Sequence, residues 1–124
     1  MTLEKAIPCT PCGQHWIIEL SGCSFSVLNN KEAITKAIDA VCTVGNFTCL
    51  EHAEHSFLPH GITMFYILSE SHISIHTWPE HGYAAIDIFT CGKPPLKESI
   101  VNTLQEHLSP LHCDIQTIKR GFRS

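Results

Sequence analysis

Between Leu68 and Gly92 the chain reads LSESHISIHTWPEHGYAAIDIFTCG, and this short span gathers a hydroxyl, an imidazole, a carboxylate and a thiol at Ser71, His76, Glu80 and Cys91. Each group offers a distinct chemistry. A histidine titrates near neutrality and can take a proton from a reacting atom. A thiol with an ordinary pKa of about 8.5 is mostly protonated at neutral pH and can give its proton away. An ionised carboxylate is acceptor-only. Each also has a plain alternative. His76 could be a polar residue on an exposed strand face, Glu80 a turn residue beside Pro79, and Cys91 a buried thiol. That last description fits Cys42 better, because Cys42 falls on an apolar helix stripe.

Two further groupings invite a metal reading and do not sustain it. Cys9-x-x-Cys12 is followed by His15, but no second such pair or suitably spaced histidine pair completes a zinc site. We read it as a surface loop with unpaired thiols. Glu51-His52-Ala53-Glu54-His55 is not the HExxH arrangement. No metal is assigned.

The elements that must carry these residues follow from periodicity. Residues 14–21 alternate, with Trp16, Ile18 and Leu20 on one face and His15, Ile17 and Glu19 on the other, which is a strand pattern. Residues 31–43 form a helix with Ala33, Ile34, Ala37, Ile38, Val41 and Cys42 in one stripe. Asn30 caps its start and Gly45 ends it. A short strand is expected at 46–51. Strands follow at 61–68, apolar on both faces as a central strand would be, at 72–77 and at 83–90, with Pro79 and Gly82 punctuating the last connection. A second helix spans 95–108, with Leu96, Ile100, Leu104 and Leu108 as its stripe, and a last strand covers 112–119. Consecutive strands with short connections pair antiparallel. The expected fold is therefore α+β: a two-layer sandwich, its sheet mostly antiparallel, with two helices on one face. Ile73, Ile75, Ile86 and Ile88 would face the helices, leaving His76, Cys91 and Glu19 on the uncovered face.

Composition bounds the rest. A length of 124 residues fits one domain, 1–124. A net charge of −4 argues against a nucleic-acid partner, which would call for a basic patch. Lys119, Arg120 and Arg123 form the one basic cluster, read as a solvated terminus. Seven cysteines, an odd number with no secretory signal ahead of them, point to reduced thiols and a cytoplasmic protein. No stretch approaches the ~20 apolar residues of a membrane span.

The segment ESHISIHTWPE (70–80) with TCG (90–92), together with GQHWIIEL (13–20), FLPHGIT (57–63) and the closing Arg120-Gly121, resembles the prokaryotic S-adenosylmethionine decarboxylases, a pyruvoyl-dependent family. The resemblance covers most of the chain. It implies self-cleavage between Glu70 and Ser71 into 1–70 and 71–124, with Ser71 becoming a covalent pyruvoyl group. That group would hold the substrate amine as a Schiff base and act as the electron sink for loss of carbon dioxide. It further implies His76 as the processing base and Cys91 as the proton donor. Phe57 and Glu80 would bind the adenine and ribose of S-adenosylmethionine, with Glu19 an acidic residue nearby, and the enzyme would be a homodimer in spermidine synthesis. Thr63 stands where many members of the family have a serine that assists processing. A pyruvoyl-dependent decarboxylase of ornithine or arginine, and a non-processing binding homologue, are the alternative expectations.

Overall fold

The computed structural model describes residues 12–69, 71–91 and 95–122. Six strands form one sheet: β1 (Cys12–Ser21), β2 (Cys49–Ser56), β3 (Ile62–Leu68), β4 (Ser71–Trp78), β5 (Tyr83–Cys91) and β6 (His112–Gly121). Their spatial order is β2-β3-β4-β5-β1-β6, and each neighbouring pair runs antiparallel. The helices are α1 (Phe25–Leu28), α2 (Lys31–Val44) and α3 (Lys97–Leu108). A single 3-10 turn at Pro79–His81 links β4 to β5.

The core lies between the sheet and the helices. Alternation along the strands sends Trp16, Ile18, Leu20, Met64, Tyr66, Ile73, Ile75, Ile86 and Ile88 into it, where they meet Ile34, Ile38, Ile100, Leu104 and Leu108 of α2 and α3. Tyr66 is the one phenol among them. Its hydroxyl donates to Asp39 Oδ1 of α2 at 3.1 Å, which gives the buried polar atom a partner. Burial, with Asp39 adding to it, raises the Tyr66 pKa well above the ordinary phenol value.

The start of α2 is capped as its sequence suggests, with Asn30 Oδ1 accepting from the Ala33 N–H at 3.1 Å. Its end differs in detail. Gly45 closes the helix at φ −83, and the left-handed residue is Asn46 at φ 56. A Cβ at position 45 would stand 2.5 Å from the Phe47 ring, so a larger residue there would have to displace that ring. Two expectations are corrected. The strand expected at 46–51 runs over Cys49–Ser56, because Asn46 and Phe47 turn the chain back over the helix end. Leu96 lies outside the α3 stripe as a 75% exposed N-cap, and Thr103 joins the buried face. The four-residue α1 was not foreseen; it is too short to show a period.

The other face of the sheet carries no helix among the described residues. The open-face side of β3 is apolar too, and Phe65 and Ile67 lie 42% exposed there.

Candidate active site

Register lines up side chains across the open face. His76 pairs with Thr63 on β3 and with Ala85 on β5, and Ala85 pairs with Glu19 on β1. Glu19, His76 and Thr63 therefore share one row, as the parity of their strands requires. The Thr63 Oγ1 and His76 Nδ1 atoms are 2.9 Å apart. With Nδ1–H donating to that oxygen, Nε2 keeps a free lone pair and can act as a base. Glu19 accepts a hydrogen bond from the Tyr83 hydroxyl. That bond, helped by burial and by the Glu19 charge, lifts the Tyr83 pKa to about 12. The Tyr83 ring lies 5.3 Å from Trp78, and Trp78 lies 6.2 Å from His76.

The nucleoside candidates sit at this same end. Phe57 precedes β3 and packs edge-on against His55 at 4.6 Å. Glu80 sits in the turn after β4 and meets His60 at 2.9 Å. Its carboxyl is held below the ordinary range, first by its own backbone N–H and then, after the opposing effect of burial, by His60.

Ser71 and Cys91 lie at the opposite end of the β4–β5 pair. Ser71 opens β4 with the parity of Ile73 and Ile75, so its side chain turns to the helix side. Its Oγ is buried and has no hydrogen-bond partner among the described residues. It lines a cavity of about 40 Å³ with Asn46, Phe47, Thr48, Phe89 and Thr90. Half-buried Cys91 ends β5 on the open-face side, in a cavity of about 220 Å³ shared with Cys12, Gly13, Phe89, Arg120 and Gly121. Arg120 is thus not a plain solvated terminal residue, since its guanidinium stacks 4.9 Å above the Phe89 ring. Glu70, Cys9 and Arg123 lie outside the described residues.

The spacing has a consequence. At about 3.3 Å per strand residue, five residues place the Ser71 and His76 Cα atoms roughly 16 Å apart. Within one chain the structure joins His76 with Thr63 and Ser71 with the Cys91 end of the sheet, and holds those two groups apart. Tyr83, Trp78 and His60 were not singled out from the sequence. For Tyr83 the signal was present, because it shares the parity of Asp87 and Cys91 along β5. Among the described residues no cluster of three or more His, Cys, Asp or Glu side chains could hold a metal ion, and no helix is long and apolar enough to cross a membrane.

An α+β domain with an imidazole–hydroxyl pair, a half-buried thiol and a buried serine on one sheet has the groups of a proton-transferring enzyme. The family model described as S-adenosylmethionine decarboxylase matches residues 14–121. The S-adenosylmethionine decarboxylase proenzyme of Methanococcus maripaludis strain C7 is 45% identical over 112 residues, covering 89% of this chain and 90% of that protein. The proenzyme of the same name from Caldicellulosiruptor saccharolyticus is 42% identical over 110 residues, covering 89% of each. The crystal structure of the adenosylmethionine decarboxylase from Aquifex aeolicus matches with a TM-score of 0.83 at 33% identity, covering 94% of this chain and 96% of that one. The chain belongs to the S-adenosylmethionine decarboxylase family and is accordingly a decarboxylase, with relatives that are made as proenzymes.

Proposed function

We propose that the protein cuts itself between Glu70 and Ser71, carries the resulting pyruvoyl group on residue 71, and decarboxylates S-adenosylmethionine at a site shared by two subunits. The observation that carries this reading is the Ser71 hydroxyl. A buried polar atom without a partner needs an explanation, and a nucleophile adjoining its own scissile bond supplies one. Ser71 Oγ attacks the Glu70 carbonyl carbon, and the peptide C–N bond breaks as the ester C–O bond forms. A base removes the Ser71 Cα proton, and the Cβ–O bond breaks to release 1–70 with a terminal carboxylate. Residue 71, now dehydroalanine, tautomerises and is hydrolysed by water, losing ammonia and leaving a ketone.

The separation along β4 supports a base from the second subunit. His76 cannot span roughly 16 Å to the serine of its own chain, so the base acting on Ser71 is His76 of the partner subunit, oriented by the partner's Thr63. Exposed Phe65 and Ile67 on the open face give two sheets apolar surface to bury against each other. Phe57 and Glu80, at the His76 end, bind the adenine and ribose, and Glu19 with Tyr83 borders that site. Cys91, at the Ser71 end, returns a proton to the substrate carbon once carbon dioxide has left. The pyruvoyl group supplies the carbonyl electron sink for that loss. A reduced Cys91 thiol is what a cytoplasmic setting maintains.

Intact mass and carbon dioxide release from labelled S-adenosylmethionine, ornithine and arginine test the reading together. Two fragments split before Ser71, with release from S-adenosylmethionine alone, are expected, and Ser71→Ala should give one uncut, inactive chain. Release from an amino acid would keep the cofactor and replace the substrate. Full activity in Ser71→Ala would end the pyruvoyl reading.

A further inference from the structure

Glu80 is held by the loop that carries Phe57. In that loop His60 Nε2 stands 2.9 Å from Glu80 Oε2. The loop is itself closed and anchored: the Phe57 N–H donates to the Gly61 carbonyl at 2.8 Å, and the Gly61 N–H donates to Asn29 Oδ1 at 3.1 Å. The imidazole packs edge-on against Phe25 at 5.3 Å, which restricts its rotation. Gly61 has φ +108, a conformation closed to ordinary L-residues, so the turn after His60 is built for this shape. His60 therefore links two segments that are separate in sequence, one bearing the aromatic ring and the other the carboxylate.

We propose that His60 is a positioning residue: by donating Nε2–H to Glu80 Oε2 it fixes the orientation of the carboxylate, and its distance from the Phe57 ring, for a ligand with two vicinal hydroxyls beside a flat base. The inference rests on the assignment of Glu80 and Phe57 to the nucleoside. A carboxylate has about four lone-pair sites, so one bond from His60 and one from its own backbone N–H still leave acceptors for both hydroxyls. His60 and Glu80 are both partly exposed, at 24% and 41%, and such pairs add little to folding. The contribution belongs to binding, where a pre-oriented acceptor need not be ordered by the ligand.

The test is steady-state kinetics on matured enzyme, with fold and cleavage checked by thermal melting and intact mass. His60→Leu removes the donor and should raise the KM for S-adenosylmethionine by roughly threefold to tenfold, with kcat within about twofold of the parent. His60→Gln restores an N–H donor and should recover most of that loss. In a Glu80→Gln background, His60→Leu should add no further rise. If the leucine chain does not fold, His60→Ala provides the same comparison. An unchanged KM in His60→Leu, with a raised KM in Glu80→Gln, would overturn the positioning role and leave the ribose assignment standing. An unchanged KM in Glu80→Gln would overturn the ribose assignment and the positioning role with it.

Discussion

The Thr63 hydroxyl meets His76 Nδ1 at 2.9 Å, and this pair decides what the imidazole can do. A ring held through Nδ1 presents Nε2 outward in one tautomer, which a base acting on another group needs. Loss of the Thr63 oxygen frees both the ring angle and the tautomer. Thr63→Ala should therefore mature more slowly by about tenfold or more, read as the half-time of cleavage by intact mass. Thr63→Ser should cut at a rate close to the parent, and an unchanged rate in Thr63→Ala would show that the contact is only structural. Much of this was legible in residue types. Strand alternation put His76 and Glu19 on one face, but pairing across strands is a register fact, and the separation of 13 positions from Thr63 to His76 conceals that they are neighbours. Tyr83 escaped notice for the same reason, since its partner Glu19 is 64 residues away.

Between strands, the open face is organised by rings. His72 of β4 stacks on Phe65 of β3 at 5.2 Å and on Phe89 of β5 at 6.0 Å, with His15 of β1 edge-on at 6.3 Å. Burial first, then the neighbouring His15 and the more distant Arg120, push the His72 pKa below its ordinary value, with Asp87 opposing them. A folded pKa below the unfolded one means the native chain binds fewer protons. The resulting cost to stability is absent above the unfolded pKa of about 6.5, grows as pH falls below it, and levels off below the folded pKa. His72→Phe should keep the stack and lose the titration. Its melting temperature should fall less than the parent's between about pH 7 and about pH 5, and an equal fall would remove His72 as a source of acid sensitivity. β1, β4, β5 and the two long helices were legible from their periods, and β3 from being apolar on both faces. β2 was not, because every one of its residues is exposed, so its alternation carries no apolar signal. The end of α2 differs in cause, because the turn is made by Asn46 in the left-handed region and by the Phe47 ring beside Gly45, which residue type alone does not show.

For the whole molecule, the sheet separates the candidate reacting groups by its length. Ser71 and Cys91 occupy one end of β4–β5, and His76, Thr63 and Glu80 the other, with the strand rise keeping them roughly 16 Å or more apart. A residue-type motif cannot show this. The same 70–80 segment carries both Ser71 and His76 and reads as one site until it is laid out as a strand. In the proposed shared site a second copy facing the open side would bring the ends together, and the apolar side of β3 would give it a surface to cover. The most direct test is the intact mass of two chains produced together, one with Ser71→Ala and the other with His76→Ala, each uncut when made alone. The account predicts that in the mixed sample the His76→Ala chain is cut before Ser71, by His76 of the partner subunit, while the Ser71→Ala chain stays whole. If both chains remain whole although mixed dimers form, or if His76→Ala alone is cut at the parent rate, a site shared between subunits is contradicted.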